Sequence, residues 1–428
     1  MKKYDIVIVG GGTSGCACAY IAAKSGLKTL LIEKENYLGG TMTGSLVVPV
    51  MKSGENQINI DFYLDLIKAM KEVKGQITYL GNPGWFDPIK LKDVLFNMLI
   101  NSGVDIKLSS NVLEIKTKNS KILSVYYEPI YTDNCFQSID MLSECIEANY
   151  FVDATANLNF SKKINCRILK NENDFPPISL RFIMSGVDYE QFGEWLAIYD
   201  GNRDVTTVEN IDNAFYFSTA YTWDTDKHWA LTPLFDKAVE QGTLKEPDRN
   251  YFQIFSVAGS PDMVAFNCPR LLDKIDLTDE NALKSAYSKG EEIINRLAEF
   301  CREFFQGFEN AYVSHIADKL GIRASDRIKG KYVYTIDDLK SGKKFEHPAV
   351  ISSYPVDIHS RDKNSSTLEQ TGEYQLPLES LMSADYDNLF VIGRSLSADE
   401  YAQGALRVQS SCFSMGEAVA KYVAAKLH

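Results

Sequence analysis

The chain has 428 residues, 45% apolar and 24% charged, a globular composition too long for one ordinary core, so two units sharing an interface are expected. Its 45 basic and 57 acidic side chains leave a formal charge of −12, which argues against nucleic acid or an anionic membrane surface as partner. With no apolar run of about 18 residues and no signal-peptide core after the two N-terminal lysines, a soluble cytoplasmic protein is expected.

Residues Tyr4 to Val9 cluster β-branched groups and read as a strand. The turn Gly10-Gly11-Gly12-Thr13-Ser14-Gly15 follows, then an Ala-rich helix to Lys24, then Gly26 and a second strand ending at Glu33. In such a turn Gly10 permits the tight bend, Gly12 lets a pyrophosphate approach the backbone, and Gly15 lets helix and sheet pack closely. Thr13 and Ser14 open the helix, whose free amides and positive end suit phosphate. Glu33 is placed to accept from adenosine ribose hydroxyls and disfavours a 2′-phosphate, with Lys34 beside it. The unit therefore reads as a dinucleotide site. Cys16 and Cys18 lie two apart on the helix and point away from each other. With Cys135, Cys145, Cys166, Cys268, Cys301 and Cys412 they show no zinc or paired CxxC spacing, so reduced thiols and no metal are expected. A second Gly-rich loop, Leu38-Gly39-Gly40-Thr41-Met42-Thr43-Gly44, suits backbone lying against another large group; a plain surface turn is the alternative.

With these segments, the chain resembles the FAD-dependent oxidoreductases among the two-dinucleotide-binding-motif flavoproteins that end in a flavin-binding helix. The resemblance extends through VDIKLSSNVLEI, YFVDATAN, GIRASDRIKGKYVYTIDDLKSGKKF, SSYPVDIH and NLFVIGRSLSADEYAQGALRVQSSCFSMGEAVAKYVAAK. It implies FAD as cofactor, contacted at Gly10, Gly12, Thr13, Ser14, Gly15, Glu33, Lys34, Gly40, Thr41 and Gly44. It also implies Val112 beside the adenine, and Ala154-Thr155 on the strand returning to the cofactor. Gly393-Arg394 would pass the pyrophosphate or ribityl chain, and a helix starting near Gly404 would aim the amides of Ala405 and Leu406 at the flavin. Relatives commonly continue the returning strand as DATGD; Ala156-Asn157 here removes a glycine and an acid.

The implied fold is α/β: a Rossmann-like parallel-sheet domain from residues 1–160 and 350–428, with residues 161–349 as an inserted α+β substrate domain. Within the insert, PPISLRFIMSGVD reads as strand. Residues 282–306 read as helix, with Ile293, Leu297, Cys301 and Phe304 on one face. The aromatic stretch FYFSTAYTWDTDKHWALTPLF reads first as core and second as a wall for a flat substrate. Of five histidines, His347 and His428 lie in a loop and at the terminus, and His228, His315 and His359 are left as candidates. On a strand, Asp357, His359 and Arg361 share one face, so Arg361 could hold an anionic substrate and His359 move its proton. A polar interdomain loop is the equal alternative. Arg323 and Arg327, four apart and so on one face if helical, could hold a carboxylate but read mainly as the anchor of an interdomain turn, while Arg407 could reach flavin or substrate.

The sequence thus predicts hydride transfer between flavin N5 and a small molecule, with His359 or Tyr354 as acid or base. The electron partner and any homo-oligomer are left open. The alternatives are a flavin monooxygenase, against which Gly393-Arg394 stands where Gly-Asp is usual, and an electron-relay or structural subunit of a larger complex.

Overall fold

Buried on both faces, the apolar runs of β1 (Lys2–Val9) and β2 (Thr29–Ile32) meet the requirement of parallel strands between helical layers. The computed structural model, which describes residues 2–130, 144–171, 176–222, 229–277, 279–359 and 366–428, joins them through α1 (Thr13–Lys24) in parallel register, Ile6 opposite Thr29 and Val9 opposite Ile32. Helices α2 (Asp61–Glu72) and α3 (Pro88–Asn101) follow. The Asp87 carboxylate caps α3 by accepting from the Ile89 and Lys90 amides.

β3 (Asp105–Lys107) then extends the sheet beside β2, and an antiparallel meander of β4 (Ser110–Lys118), β5 (Lys121–Pro129) and β6 (Glu144–Asp153) brings the chain back to the centre. One edge of β6 runs parallel to β1. The other is shared, its first half paired with β5 and its last three residues with Leu389–Val391 from the far end of the chain. Register places Lys107, Ile32, Val9, Asp153 and Val391 in one row across the sheet. The residues after this row lie at the carboxyl edge of the parallel strands, where open α/β sheets bind ligands.

Residues between those segments build a second, antiparallel sheet from β7 (Phe182–Ser185), β8 (Thr207–Ile211), β9 (Ala214–Thr222), β10 (Tyr251–Ser256), β11 (Val264–Phe266) and β12 (Tyr312–Ile316), in the order β8-β9-β10-β11-β7-β12. The sequence-predicted helix of this region is α4 (Glu280–Phe304), whose Ile293, Leu297 and Cys301 are buried. It packs Phe300 against Phe235 and Phe252, with ring centroids 4.5 and 6.1 Å apart. Tyr216, Phe217 and Tyr221 of the aromatic stretch are buried in the same core, Tyr221 stacked on Phe235 at 4.6 Å. Trp223 and His228 lie outside the described residues.

The chain closes with β13 (Leu389–Val391), α5 (Glu400–Leu406) and α6 (Gln409–Leu427). α6 lies against α1 at Gly416, where a Cβ would strike the Ser14 carbonyl and stand 2.8 Å from the Cys18 nitrogen. No described helix is long and apolar enough to cross a membrane, and no metal-binding cluster occurs among the described residues.

Candidate functional site

Gly10, with φ +107°, turns the chain out of β1, and a Cβ there would sit 2.5 Å from the Ala154 carbonyl oxygen. One turn later a Cβ on Gly15 would collide with the Gly10 carbonyl. Gly12 caps α1 with no side-chain hydrogen bond, no acidic residue stands in the first turn, and the first intrahelical bond comes from Cys16 to Gly12. The amides of Thr13, Ser14 and Gly15 thus begin a helix without intrahelical acceptors, an arrangement that favours an anion. A Cβ on Gly12 would meet nothing nearer than 3.9 Å, so this face of the turn is open.

The second loop closes on the first. Gly39 donates to the Gly11 carbonyl at 2.8 Å, and a Cβ on Gly40 would stand 2.8 Å from the Gly12 Cα. Gly44 donates to Gly40 at 2.8 Å, and Thr41 accepts from Val47 at 3.0 Å. Glu33 is buried, its two carboxylate oxygens accepting from the Gly11 and Glu35 amides. Each keeps lone-pair capacity for a further donor. Lys34 beside it is exposed and pairs with Glu35 at 3.5 Å. Ser110 donates to the Glu33 carbonyl at 2.9 Å, which brings the start of β4, and Val112 within it, next to the acid.

After the returning strand, Ala154 donates to Val9 at 2.8 Å. The Thr155 hydroxyl is committed, donating to Asp153 and accepting from Asn159. Ala156 takes the positive φ, +64°, that a glycine would hold without strain. Its carbonyl accepts from Ser325, Ser395 and Arg394 at 2.7, 2.6 and 3.1 Å. Arg394 also donates to Ile322 at 2.5 Å and to the Asn157 side chain at 2.7 Å. The exchange of Gly-Asp for Ala156-Asn157 therefore has a local counterpart: the amide oxygen of Asn157 receives the guanidinium of Arg394. Burial, then repulsion from Arg407, draws that guanidinium down to about 10.

The C-terminal segment corrects one expectation. No helix starts near Gly404: Ala405 and Leu406 end α5, which Asp399 caps by accepting from the Ala402 amide, and extended Val408 breaks the helix before α6 begins at Gln409. The free first-turn amides are those of Gln409, Ser410 and Ser411, ahead of the bond from Cys412 to Val408. Here Gln409 Oε1 and the Ser410 and Ser411 hydroxyls are buried without a hydrogen-bond partner, while Gln409 Nε2 holds Val47, just past the second glycine loop, at 2.6 Å. Ser14 links the two helix starts: its hydroxyl lies beside the Cys412 thiol, and a Cβ on Gly393 (φ +83°) would stand 3.0 Å from it. Two uncapped helix N-termini, two interlocked glycine loops and orphaned polar atoms form a cradle suited to an elongated diphosphate bearing a flat polar ring. FAD fits that description.

The proposed catalytic cluster is partly in view. Asp357 and His359 belong to a strand, Val356–His359, paired with Ser366–Glu369, and Asp357 meets Arg407 at 3.4 Å. Burial, then the Asp357 charge, pushes the Tyr354 phenol up to about 12. The His359 side chain and all of Arg361 lie outside the described residues. His315 is elsewhere, on β12, its Nδ1 3.0 Å from the Ser314 hydroxyl. Arg323 and Arg327 share no helical face. The segment between Gly321 and Arg327 is not helical, so Arg327 goes to Ala398 and Glu400 while Arg323 goes to Pro177. Gln409, Ser410 and Ser411 were not legible in the sequence, because Val408 is a poor N-cap and the helix start has no side-chain cap to mark it.

A family model described as FAD dependent oxidoreductase matches residues 5–428. An uncharacterized protein of Methanosarcina barkeri is 27% identical over 183 residues, 40% of this chain and 46% of that protein. The thiamine thiazole synthase of Methanococcus vannielii is 28% identical over 158 residues, 36% of this chain and 57% of its own. Each match thus spans less than two thirds of the curated relative. Among solved structures, a geranylgeranyl bacteriochlorophyll reductase-like protein from Thermoplasma acidophilum aligns with a TM-score of 0.46 and 13% identity, covering 100% of this chain and 79% of that one.

Proposed function

The chain belongs to the FAD dependent oxidoreductase family, and on that premise we propose that it transfers a hydride between flavin N5 and a small organic molecule held between the loops of the first sheet and the second sheet. Its cofactor is FAD, which when bound supplies the two-electron donor or acceptor. The observation that carries the reading is the convergence of the α1 and α6 N-termini at Ser14, with buried polar atoms lacking partners at the second.

On this reading Gly10, Gly12 and Gly15 shape the pyrophosphate turn, and Thr13 and Ser14 donate their amides to it. Glu33 takes the adenosine ribose, Val112 backs the adenine, and Gly40, Thr41 and Gly44 line the middle of the cofactor with Ala154 and Gly393. Thr155 and Arg394 act behind that surface, as their hydrogen bonds are made within the protein. The first-turn amides of α6 replace those of Ala405 and Leu406 at the flavin, a fixed positive potential for the charge that reduction adds. Residues 1–160 and 350–428 are assigned to the cofactor unit and 161–349 to the substrate unit, a division that the pairing of β13 with β6 supports.

Tyr354 keeps its proton throughout the neutral range and serves as donor to a substrate oxygen, narrowing the acid-or-base alternative to acid. His359, two residues beyond Asp357, is the proposed base, and Arg361 is kept as a substrate anchor. His359→Asn tests this: FAD is retained and kcat falls roughly 10²- to 10⁴-fold. Unchanged turnover removes His359 from the mechanism, and incorporation of oxygen from O₂ into product replaces hydride transfer by monooxygenation.

A further inference from the structure

Between the two sheets lies a concentration of positive charge that the cofactor cradle does not use. Arg181, just before β7, donates to the Leu46 and Val48 carbonyls at 3.3 and 3.4 Å, on the chain that leaves the second glycine loop. Arg323 donates to Pro177 at 2.6 Å, and its own carbonyl accepts from Arg407 at 3.3 Å. Arg407 also reaches Asp357, and the guanidinium of Arg270 lies 3.4 Å over the ring of Tyr251 nearby.

These groups act on one another. Burial draws Arg323 well below the usual guanidinium range, and the charges of Arg270, Arg407 and Arg181 draw it further. Arg181 and Arg407 are lowered by burial as well. All three are half-buried, so accessible surface remains on them despite their depth. Among the described residues Asp357 pairs with Arg407, and no carboxylate pairs with Arg181 or Arg323. Backbone carbonyls accept from Nη1 of Arg181 and of Arg323 but leave the net charge in place, and uncompensated charge at such depth is costly.

We propose that Arg181, Arg323 and Arg407 form an anion site that receives the carboxylate of the substrate, next to the start of α6 and the loop after Gly44. Two in-plane oxygens match paired guanidinium donors, and Arg presents a planar fork that Lys lacks. That the anion is a substrate rests on the oxidoreductase function proposed above, whereas the anion site itself stands on the arginines alone.

The test uses the full chain loaded with FAD and benzoate as probe, read both by calorimetry and by perturbation of the visible spectrum. Benzoate is expected to saturate a single site, and neutral benzamide to bind at least about tenfold more weakly. Arg323→Gln and Arg407→Gln should each weaken benzoate by about 10- to 100-fold while retaining FAD. Arg323→Lys, which keeps the charge, should fall between wild type and Arg323→Gln. Equal binding of benzamide, or wild-type benzoate affinity in both Gln variants, overturns the proposal. Loss of FAD from the Gln variants with calorimetric benzoate binding intact also overturns it, assigning the arginines to the cofactor. A protein that takes up no FAD yet binds benzoate through these arginines supports the anion site and removes the flavin reading instead.

Discussion

Alanine at Gly10 brings two separate costs together, and two other glycines separate them. At Gly10 a Cβ meets both a φ of +107° and the Ala154 carbonyl at 2.5 Å. At Gly103 φ is +92° but nothing lies within 4 Å, and at Gly201 there is open space without a positive φ. Backbone strain contributes about 1–3 kcal/mol, and overlap with fixed backbone about 1–3 kcal/mol more. Reduced freedom of the unfolded chain offsets about 0.4–1 kcal/mol. Gly201→Ala should therefore be neutral or slightly stabilising, Gly103→Ala should lose roughly 1–2 kcal/mol, and Gly10→Ala roughly 2–5 kcal/mol. Urea midpoints on FAD-stripped protein keep cofactor linkage out of the comparison, and FAD retention is then measured on each variant. Only Gly10→Ala should lose the cofactor. If Gly10→Ala matched Gly103→Ala in stability and bound FAD normally, the assignment of this turn would be wrong.

Ala156→Gly should raise stability by about 0.5 kcal/mol by relieving the positive φ, and Ala156→Val should lower it, both read from urea midpoints. Asp399→Ala should cost about 1–2 kcal/mol, because one carboxylate oxygen caps α5 and the other accepts from Ile336 at 2.6 Å. Tyr79 and Tyr354 are both raised to about 12, chiefly by burial. Their contribution to stability is complete below pH 10 and is lost as pH rises from 10 to about 12, where the unfolded tyrosines ionise first; denaturant titrations across that range check the sign. Phe252→Ala, at the centre of the second sheet's aromatic core, should cost about 3–5 kcal/mol by chemical denaturation while FAD content persists.

The first glycine turn was legible in the sequence because its requirements are local: strand, bend, helix start and acid follow one another within Tyr4–Glu33. The aromatic stretch was legible as core at Tyr216, Phe217 and Tyr221 for a related reason, as large rings on a strand have to be covered. The last helix was displaced because Asp399 caps a short helix that runs through Gly404 to Leu406, and the extended Val408 separates it from the long helix that begins at Gln409. Asn157 was read as a loss since its partner, Arg394, lies 237 residues away. The approach of Arg181 and Arg270 to Arg323 and Arg407 was not legible either. It depends on how the second sheet faces the first, and Arg323 separates from Arg327 because their segment is not the helix that an i,i+4 spacing suggests.

Whether the paired helix starts and interlocked glycine loops hold FAD is decided by stripping the purified chain and titrating FAD back while following the flavin absorption bands and calorimetric heat. One FAD per chain should bind, and far more weakly to Gly10→Ala. A colourless protein whose stripped form takes up no FAD, or takes it up equally well in Gly10→Ala, would contradict the account.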